Sequence, residues 1–381
     1  METLLEPALQ QTNNTVVIKT PILQDAISKA VKACSMDNAF PLTSMLQIVV
    51  KDGRLTVKAT DNVNTLYIHR SDVSGDIDFV VDAKLFSGLV SRITTPMTEL
   101  YIEGTNLKVK ANGIYDIALM LEQDGSKTEI PDYEFPSTVK NHISNIQLRN
   151  IITANKSCKT EMKEIPSLYN YYMDNEKVLT ADNYKACCTP IKVFDTAVCL
   201  PPELVELISL IADDNGVDAQ ESGDSVLFSS SKGCLYGKKA VQEDLEQYPV
   251  QEIVTMMNDS FNYECLLNRT LLINTLDRLC LFTDGYENNA VQVCFEAEKV
   301  TFTANESGTH ESVKYLQPCN ADSSFNILVD GAFLKQQLSA LPQEDIKVKF
   351  GNENGIQIIC DGITQFASTL EDEDYEDEVN E

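Results

Sequence analysis

The sequence predicts an α+β fold made of three similar domains, and three observations support this prediction. A short strand pattern recurs at intervals of about 120 residues, in segments 55–62, 178–183 and 300–307. A segment with helical apolar spacing precedes each copy, and another follows it. Alternating polar and apolar residues, typical of half-buried strands, fill the stretches between. Such a repeat indicates quasi-symmetry, so the function is expected to lie in an assembly more than in a single pocket.

Length and composition fit a globular chain with no membrane partner. The 381 residues allow three domains, each long enough to bury its own core. No apolar run reaches the roughly 18 residues of a membrane span, and the first residues lack a secretory signal pattern. The eleven cysteines lie mostly in apolar segments, without Cys-x-x-Cys spacing. We therefore expect buried thiols in a reducing cytoplasm, with no metal site and no cofactor.

The strands are predicted from paired period-2 segments separated by turn residues. Segment 45–59 forms a hairpin that turns at Asp52-Gly53, and segment 99–121 forms another that turns near Gly104. The middle repeat turns at Asp174-Asn175 within segment 167–181. Segment 346–370 is predicted to add two more strands. The sheets are thus expected to be antiparallel.

The helices are predicted from apolar residues at 3.6-residue spacing. In the first helix, Ile22, Ala26, Ile27, Ala30 and Val31 share one face, and Cys34 continues it. Two such helices belong to each repeat, laid against antiparallel sheet. The six predicted segments are 22–34, 83–93, 146–159, 202–211, 267–281 and 332–341.

Polar, proline-bearing stretches mark the joins between repeats. Segments 122–136 and 242–260 have this character, which places the domains at 1–137, 138–259 and 260–370. Segment 371–381 is acidic at eight of its eleven positions. Such a run cannot bury apolar surface, so we predict a disordered acidic tail.

Charge is segregated by element. The chain carries a net charge of −28, yet the six helical segments hold ten basic residues against four acidic ones. Basic helices on an acidic protein favour phosphate at one surface and repel it elsewhere. The alternative is that short amphipathic helices simply carry lysine on their solvated face. The ten candidate DNA-facing residues are Lys29, Lys32, Lys84, Arg92, Arg149, Lys156, Lys159, Arg269, Arg278 and Lys335.

Three local motifs resemble the bacterial sliding clamp family, the beta subunit of DNA polymerase III. Segment 51–61 (KDGRLTVKATD) is similar to the family's first-domain hairpin, and segment 180–187 (TADNYKAC) to its second-domain strand end. Tyr248-Pro249-Val250-Gln251 occupies the place of a FPDY-like segment. The resemblance covers roughly residues 15–370. Divergence at the positions of the family's peptide cleft suggests a bacteriophage-encoded member as one hypothesis.

The resemblance implies a head-to-tail homodimer that closes six domains into a ring, with helices lining the hole. This chain would be half of that closed ring. It would encircle duplex DNA without reading sequence and act as a processivity factor for a DNA polymerase. The clamp loader and other proteins with a clamp-binding motif would be further partners. The expected location is the cytoplasm, at the bacterial nucleoid or in an infected bacterial host.

The resemblance also implies a peptide-binding cleft between the second and third domains. Tyr184-Lys185-Ala186 stand where the family has His-Arg-Leu, and segment 366–370 is followed by eleven residues, which puts peptide specificity in question. One hypothesis is that the acidic tail lies beside the cleft and modulates access. The carried-over cleft residues are Leu168, Ala181, Tyr184, Lys185, Ala186, Tyr248, Pro249, Ile253, Val254, Phe366, Ala367, Ser368 and Leu370.

The resemblance places the subunit interface between the first repeat of one copy and the third repeat of another. Tyr115 and Ile117 on a first-repeat strand would meet Leu281 and Phe282, which follow a third-repeat helix. The alternative for Ile117 and Leu281 is ordinary core.

No pattern in the chain predicts an enzyme. His69, His142 and His310 are scattered, and no phosphate-binding Gly-x-x-x-x-Gly-Lys loop occurs. Two other classes stay open at this point. One is an acidic DNA mimic, or a scaffold that forms no ring, binding DNA-processing enzymes. The other is a three-domain enzyme with an unrecognised site.

Overall fold

The computed structural model describes residues 15–35, 40–283, 289–304, 308–317, 319 and 324–370. In this part of the chain, four antiparallel sheets contain more residues than the short helices that pack against them. The predicted α+β class is therefore confirmed. The predicted tail at 371–381, and the last three residues of the third repeat copy, lie outside the described residues.

Contacts divide the chain into two compact units. Unit 1 comprises residues 1–140 and 207–238, and unit 2 comprises residues 141–206 and 239–381. The three-domain bounds stay a prediction, because these units are defined by contact density and not by sequence repeat.

Helices occur in all six segments where helical spacing predicts them. The join at 242–260 is different from its prediction, since it holds two helices, α7 and α8. The helices are α1 (Thr20–Ala30), α2 (Ala83–Val90), α3 (Asn145–Asn150), α4 (Lys156–Cys158), α5 (Pro166–Tyr169), α6 (Pro202–Ile211), α7 (Gln242–Glu246), α8 (Val250–Met257), α9 (Arg269–Leu279) and α10 (Gly331–Ser339).

Unit 1 contains one four-stranded sheet and seven strands of a second sheet. The first has the order β1-β6-β7-β8, and the second runs β5-β2-β3-β4-β16-β15-β14. The strands are β1 (Val16–Lys19), β2 (Met45–Lys51), β3 (Arg54–Thr60), β4 (Thr65–Ser71), β5 (Ile77–Asp82), β6 (Met97–Glu103), β7 (Asn106–Lys110), β8 (Ile114–Ala118), β14 (Val217–Ser222), β15 (Ser225–Ser230) and β16 (Gly233–Lys238).

Unit 2 contains an eight-stranded sheet, β13-β10-β11-β12-β24-β23-β22-β17, and a four-stranded sheet, β20-β19-β18-β21. Its strands are β9 (Asn141–Ile143), β10 (Tyr171–Met173), β11 (Lys177–Ala181), β12 (Lys185–Pro190), β13 (Val198–Leu200), β17 (Tyr263–Asn268), β18 (Ala290–Phe295), β19 (Lys299–Ala304), β20 (Thr309–Lys314), β21 (Phe325–Asp330), β22 (Asp345–Asn352), β23 (Gly355–Cys360) and β24 (Ile363–Ser368).

Turn residues set the register of the hairpins. Asp52 and Gly53 have φ of 51° and 78°, the left-handed values that a two-residue hairpin turn requires. Asp361 and Gly362 repeat this turn with φ of 51° and 81°. The second turn adds β24, so segment 346–370 carries three strands and not the two predicted.

The recurring Asp-Asn pair has one structural role in two of the repeats. After β3, the Oδ1 atom of Asp61 accepts the backbone N–H of Asn64 at 2.6 Å. After β11, the Oδ1 atom of Asp182 accepts the N–H groups of Tyr184 and Lys185, each at 2.8 Å. A carboxylate that bonds its own backbone two or three residues on closes a tight turn. The sequence repeat thus marks equivalent turns between adjacent strands.

A buried polar network holds the helical segment α3–α4 of unit 2 against its sheet. A π-helical turn links α3 to α4 and ends at Asn155, whose side chain is fully buried. Its Nδ2 atom donates to Thr180 Oγ1 and to the Cys187 carbonyl, and its Oδ1 atom accepts from Thr189 Oγ1 at 2.7 Å. Because these groups lie away from water, the network fixes the helix on β11 and β12.

Candidate functional site

The α1–α2 groove is the basic feature of unit 1. Helix α1 starts with Pro21 in its first turn and buries Leu23, Ala26 and Ile27, which turns its other face outward. Helix α2 starts at Asp82, whose side chain accepts the N–H of Leu85. The two helices border a groove of about 550 Å³ that Lys84 lines.

Three of the four predicted cations on or directly after these two helices are available to a ligand. Lys32, Lys84 and Arg92 are exposed, and none pairs with a carboxylate in the described part of the chain. Lys29 differs, because its Nζ atom lies 3.1 Å from Asp25, which also pairs with Arg70. The surface around α1 and α2 therefore presents three cations with no carboxylate partner among the described residues.

The predicted cations of unit 2 are mostly compensated. Lys156 pairs with Glu206 at 2.5 Å, and Arg269 pairs with Glu344 at 2.8 Å. Arg278 and Lys335 pair with Glu311 and Asp277 at 2.5 and 2.9 Å. Hydrogen bonds from these two cations lower the pKa of both carboxyls, which keeps the pairs ionised.

Lys159 and Arg149 complete the set, and the first is a correction. Lys159 was predicted to face DNA, but it is buried, with its Nζ atom 5.0 Å from the ring centre of Tyr169 and 3.1 Å from Glu161. Its charge is not offered to a ligand. Arg149 is exposed and has no ion pair among the described residues.

A second candidate site is an apolar groove in unit 2. Strand β12 pairs with β24, which brings Ala186 opposite Phe366 although 180 residues separate them along the chain. A buried cluster forms there, and Tyr248 anchors it through a hydrogen bond from its hydroxyl to the Leu179 carbonyl at 3.1 Å. The buried members are Tyr172, Leu179, Ala181, Ala186, Cys199, Tyr248, Ile253, Met257 and Phe366.

The groove's outer wall comes from side chains that are only partly buried. Leu168 and Val254, both predicted, pack against the cluster. The prediction missed Leu245, Val250 and Met256 from the join at 242–260, and also Cys188, Ala240 and Phe261 from outside it. The signal was present, because Val250, Ile253, Val254 and Met257 have helical spacing, but the proline and the carboxylates around them favoured a loop.

The other predicted cleft residues divide between floor and rim. Ala367 is buried, whereas Pro249, Ser368 and Leu370 are half-buried. The Ser368 N–H donates to the Tyr184 carbonyl at 2.8 Å, which ties the 182–185 turn to β24. The Tyr184 side chain is 52% exposed at this end of the groove.

Lys185 is a correction to the cleft prediction. It is buried, and its Nζ atom lies 4.4 Å from the ring centre of Phe333 and 3.7 Å from Asp182. It also donates to Gln336 Oε1 at 3.3 Å. These contacts hold its charge against α10 and not in the groove.

An open pocket of about 600 Å³ lies along α8. Met256 and Phe366 line it with apolar surface, while Glu252, Asp259 and Ser368 line it with polar groups. An apolar pocket with a polar edge suits the anchoring of hydrophobic side chains from a short peptide.

The predicted interface residues lie on the end strand of one sheet and in the segment that follows α9. Tyr115 and Ile117 lie on β8, the end strand of its sheet, where Tyr115 is half-buried and Ile117 is buried in the core. Leu281 and Phe282, which follow α9, are 80% and 52% exposed. Among the described strands, β8 and β20 each have a single neighbour in their sheets.

The described residues were considered for two further features, a metal site and a membrane-spanning helix. No group of three or more His, Cys, Asp and Glu side chains there could hold a metal ion. Among the helices of the described ranges, none is long and apolar enough to cross a membrane.

The chain superposes over almost its whole length on solved bacterial sliding clamps. The sliding clamp of Bacillus subtilis superposes with a TM-score of 0.78 at 18% identity, covering 94% of this chain and 100% of that one. A sliding clamp from Pseudomonas aeruginosa bound to griselimycin gives 0.81 at 13% identity, with the same coverage.

The beta clamp of Helicobacter pylori bound to a DNA ligase peptide gives a TM-score of 0.76 at 13% identity, covering 94% of this chain and 100% of that one. No protein-family model and no curated protein sequence matches. The chain therefore has the fold of the bacterial DNA polymerase III beta clamps, and the fold is what these comparisons establish.

Proposed function

We propose that the chain is a DNA sliding clamp that acts as a processivity factor. Two copies close head to tail into a ring around duplex DNA and tether a polymerase to its template. The observation that carries the proposal is the superposition on whole clamp chains, which spans 94% of this sequence. Three clamp domains at 1–137, 138–259 and 260–370 then supply half of the ring.

The DNA contact is proposed to be electrostatic and independent of sequence. Exposed Lys32, Lys84, Arg92 and Arg149 have the chemistry to meet phosphates, and the remainder of the chain is strongly acidic. Binding of this kind weakens steeply with salt, because each phosphate contact releases counterions. Retention on DNA is then topological, which lets the ring slide.

The apolar groove of unit 2 is proposed to receive short peptides from a polymerase, a clamp loader and other clamp-binding proteins. Its support is the buried cluster with a partly exposed wall on α8. The Helicobacter pylori clamp bound to a ligase peptide is a neighbour in fold.

Ring closure is proposed to join strand β8 of one copy to strand β20 of another. Both are end strands among those described, and exposed Leu281 and Phe282 supply apolar surface in the same unit as β20. An end strand presents unpaired backbone groups that a second chain can bond. A head-to-tail contact that uses two different surfaces closes when its rotation fits a ring.

The proposed protein has no catalytic role and needs no cofactor. It works on DNA in the cytoplasm, whether in a bacterium or in an infected host. Chemistry on the nucleic acid belongs to the partners, because the chain's proposed contribution is to hold them in place.

The deciding experiment compares retention on circular and linear duplexes after assembly on DNA. We expect the protein to stay on a nicked circle at high salt and to leave once the circle is cut. Equal loss from both forms would contradict a ring, and no binding to either would favour the acidic DNA mimic. Sedimentation should give a dimer, and a Phe282→Glu variant should sediment as a monomer.

A further inference from the structure

The wall of the apolar groove is acidic. Segment 240–262, which supplies α7 and α8, contains five carboxylates and no lysine or arginine. Glu252 and Asp259 line the pocket along α8 together with Met256 and Phe366. The pocket along α8 therefore has an apolar floor with negatively charged residues at its rim.

The rim carboxylates are held in their ionised form or left in solvent. Hydrogen bonds, with that from Asn352 the largest, lower the pKa of Asp259, and its Oδ1 atom accepts the Ser260 N–H at 2.7 Å. Glu252 is exposed on α8. A peptide entering the pocket therefore meets fixed negative charge at its edge.

The α7 side of the groove repeats the pattern. Leu245 packs against the buried cluster, with Asp244 and Glu246 on either side of it in the chain. Gln247 Nε2 donates to Glu243 Oε1 at 3.0 Å, and Glu243 is exposed at the surface. The two helices that pack on the buried cluster, α7 and α8, thus carry the same sign of charge.

Lys185 and Lys163 of unit 2 have their charges held by other groups. Lys185 is buried beside Asp182 and under the Phe333 ring. Lys163 lies 3.6 Å from Glu203 and 5.5 Å from the ring centre of Tyr169.

The last described residues lie beside this pocket. Ser368 lines the pocket, and the Thr369 N–H donates to the carbonyl of Asn354, another lining residue, at 3.1 Å. The acidic segment 371–381 follows from this point in the sequence. Like charges repel, so a segment of this acidic composition is a poor occupant for an acidic groove.

We infer that the groove binds peptides in which apolar anchor residues are flanked by lysine or arginine. This inference rests on the proposed peptide-binding function and specifies the chemistry of the partner. The anchors fill the pocket at Met256 and Phe366, and the basic flanks meet Glu252, Asp259 and the α7 carboxylates. Complementary charge of this kind raises the association rate and rejects acidic partners, and salt screens it.

The first test selects peptides without assuming their sequence. A display library of random nine-residue peptides is panned against the full-length protein, with a Val254→Asp variant as the groove-blocked control. Peptides that bind only the unaltered groove are expected to combine apolar residues with net positive flanks. Groove-dependent peptides with neutral or acidic flanks would overturn this inference alone. The absence of any groove-dependent peptide would overturn the proposed cleft together with it.

The second test measures the charge contribution directly. A selected peptide and its Lys/Arg→Ser derivative are compared by fluorescence anisotropy on the full chain at about 50 mM and about 500 mM salt. The basic peptide should bind about tenfold more tightly at low salt, with the advantage largely lost at high salt. This affinity advantage of the basic peptide should be mostly lost in the variant Glu252→Gln/Asp259→Asn. The control Glu298→Gln/Asp345→Asn, which makes the same charge change elsewhere in unit 2, should keep it. The inference would be overturned if the basic peptide kept the same affinity advantage in the groove variant as in the control variant.

Discussion

The helix pair α1–α2 of unit 1 and the pair α9–α10 of unit 2 look alike in sequence and differ in available charge. Each pair packs side by side, and each was predicted to face DNA with three or four cations. In the first pair, three cations have no carboxylate partner in the described residues. In the second pair, Arg269, Arg278 and Lys335 all have one.

The difference shows that the count of basic residues on a helix overestimates its attraction for phosphate. A cation already held by a carboxylate must give up that partner before it can bind DNA. Partners such as Glu311 and Glu344 lie outside the helices, so a sum over helical segments omits them. We therefore expect the DNA affinity of this protein to depend mainly on unit 1.

The largest expected effect is on DNA binding by unit 1. We expect binding to a short duplex to weaken about 100-fold at low salt in the triple variant Lys32→Gln/Lys84→Gln/Arg92→Gln, because three phosphate contacts are lost. Each lost contact should also lower the slope of log affinity against log salt by about one unit. Fluorescence anisotropy across a salt series measures both.

The matched variant in unit 2 removes the same net charge from paired cations. Lys156→Gln/Arg278→Gln/Lys335→Gln should leave the salt dependence nearly unchanged, since paired cations release few counterions. Equal loss of salt dependence in the two triple variants would show that the ion pairs open on DNA and that the helix pairs are equivalent.

The next largest effect is on the free energy of unfolding, and it depends on how each helix is held against its sheet. Helix α1 rests on apolar residues, whereas the α3–α4 helix of unit 2 rests on the buried Asn155 network. Asn155→Ala should lower the free energy of unfolding by about 3 kcal/mol, because buried hydrogen-bonding groups on β11 and β12 lose their partner. Urea unfolding followed by circular dichroism gives the value.

Thr153→Ala on the same helix is the control, since its exposed hydroxyl bonds a backbone carbonyl at 2.8 Å. It should change stability by less than about 0.5 kcal/mol. Similar losses in the two variants would remove the special role of the network.

A smaller effect is expected when the unit 2 cations are released. Asp277→Asn/Glu311→Gln frees Lys335 and Arg278, and DNA affinity at low salt should rise about fivefold, with a steeper salt dependence. Glu103→Gln/Asp116→Asn removes two carboxylates that pair with Lys108 on a sheet of unit 1, and it serves as the control. If the control gains as much, net charge and not pairing governs binding.

The smallest effect is a pH dependence confined to unit 1. Burial, with the charges of Arg54 and Arg70, lowers the pKa of His69 to about 4. The unfolded chain takes up this proton near pH 6.5 and the native state does not, so stability is full above about pH 6.5 and falls as the pH drops towards 4.

Because His69 is partly exposed, the expected loss by pH 5 is about 1 kcal/mol after allowance for solvent screening. Urea midpoints at pH 7 and pH 5 measure it, and His69→Gln should lose less than the unaltered protein. If His69→Gln and His310→Gln lose the same stability between pH 7 and pH 5, groups other than His69 cause the pH dependence.

Local patterns predicted most of the elements of this fold. All six helical segments and the Asp52-Gly53 hairpin were correctly predicted because periodicity and turn residues act within a few positions. Helices α7 and α8 were missed, since proline and carboxylates outweighed the spacing of Val250, Ile253, Val254 and Met257. Strand β24 was missed although Asp361-Gly362 gives the same signal as Asp52-Gly53.

The candidate sites depend on contacts between distant parts of the chain, which local patterns do not contain. The resemblance named Ala186 and Phe366 together, and the pairing of β12 with β24 is what brings them opposite each other. Burial of Lys159 and Lys185 depends on Tyr169 and Phe333, rings supplied by other segments. Charge on a helix face or a turn cannot by itself reveal such partners.

The position of β24 has a consequence for the synthesis of the protein. Strand β12 bonds β24 on one side, so the edge from Lys185 to Cys188 stays open until residues 364–367 have left the ribosome. An open edge is a template for pairing with another chain. Nascent or prematurely terminated chains that lack this strand are therefore expected to aggregate through β12, and chaperone binding to such chains should fall once residue 368 is present.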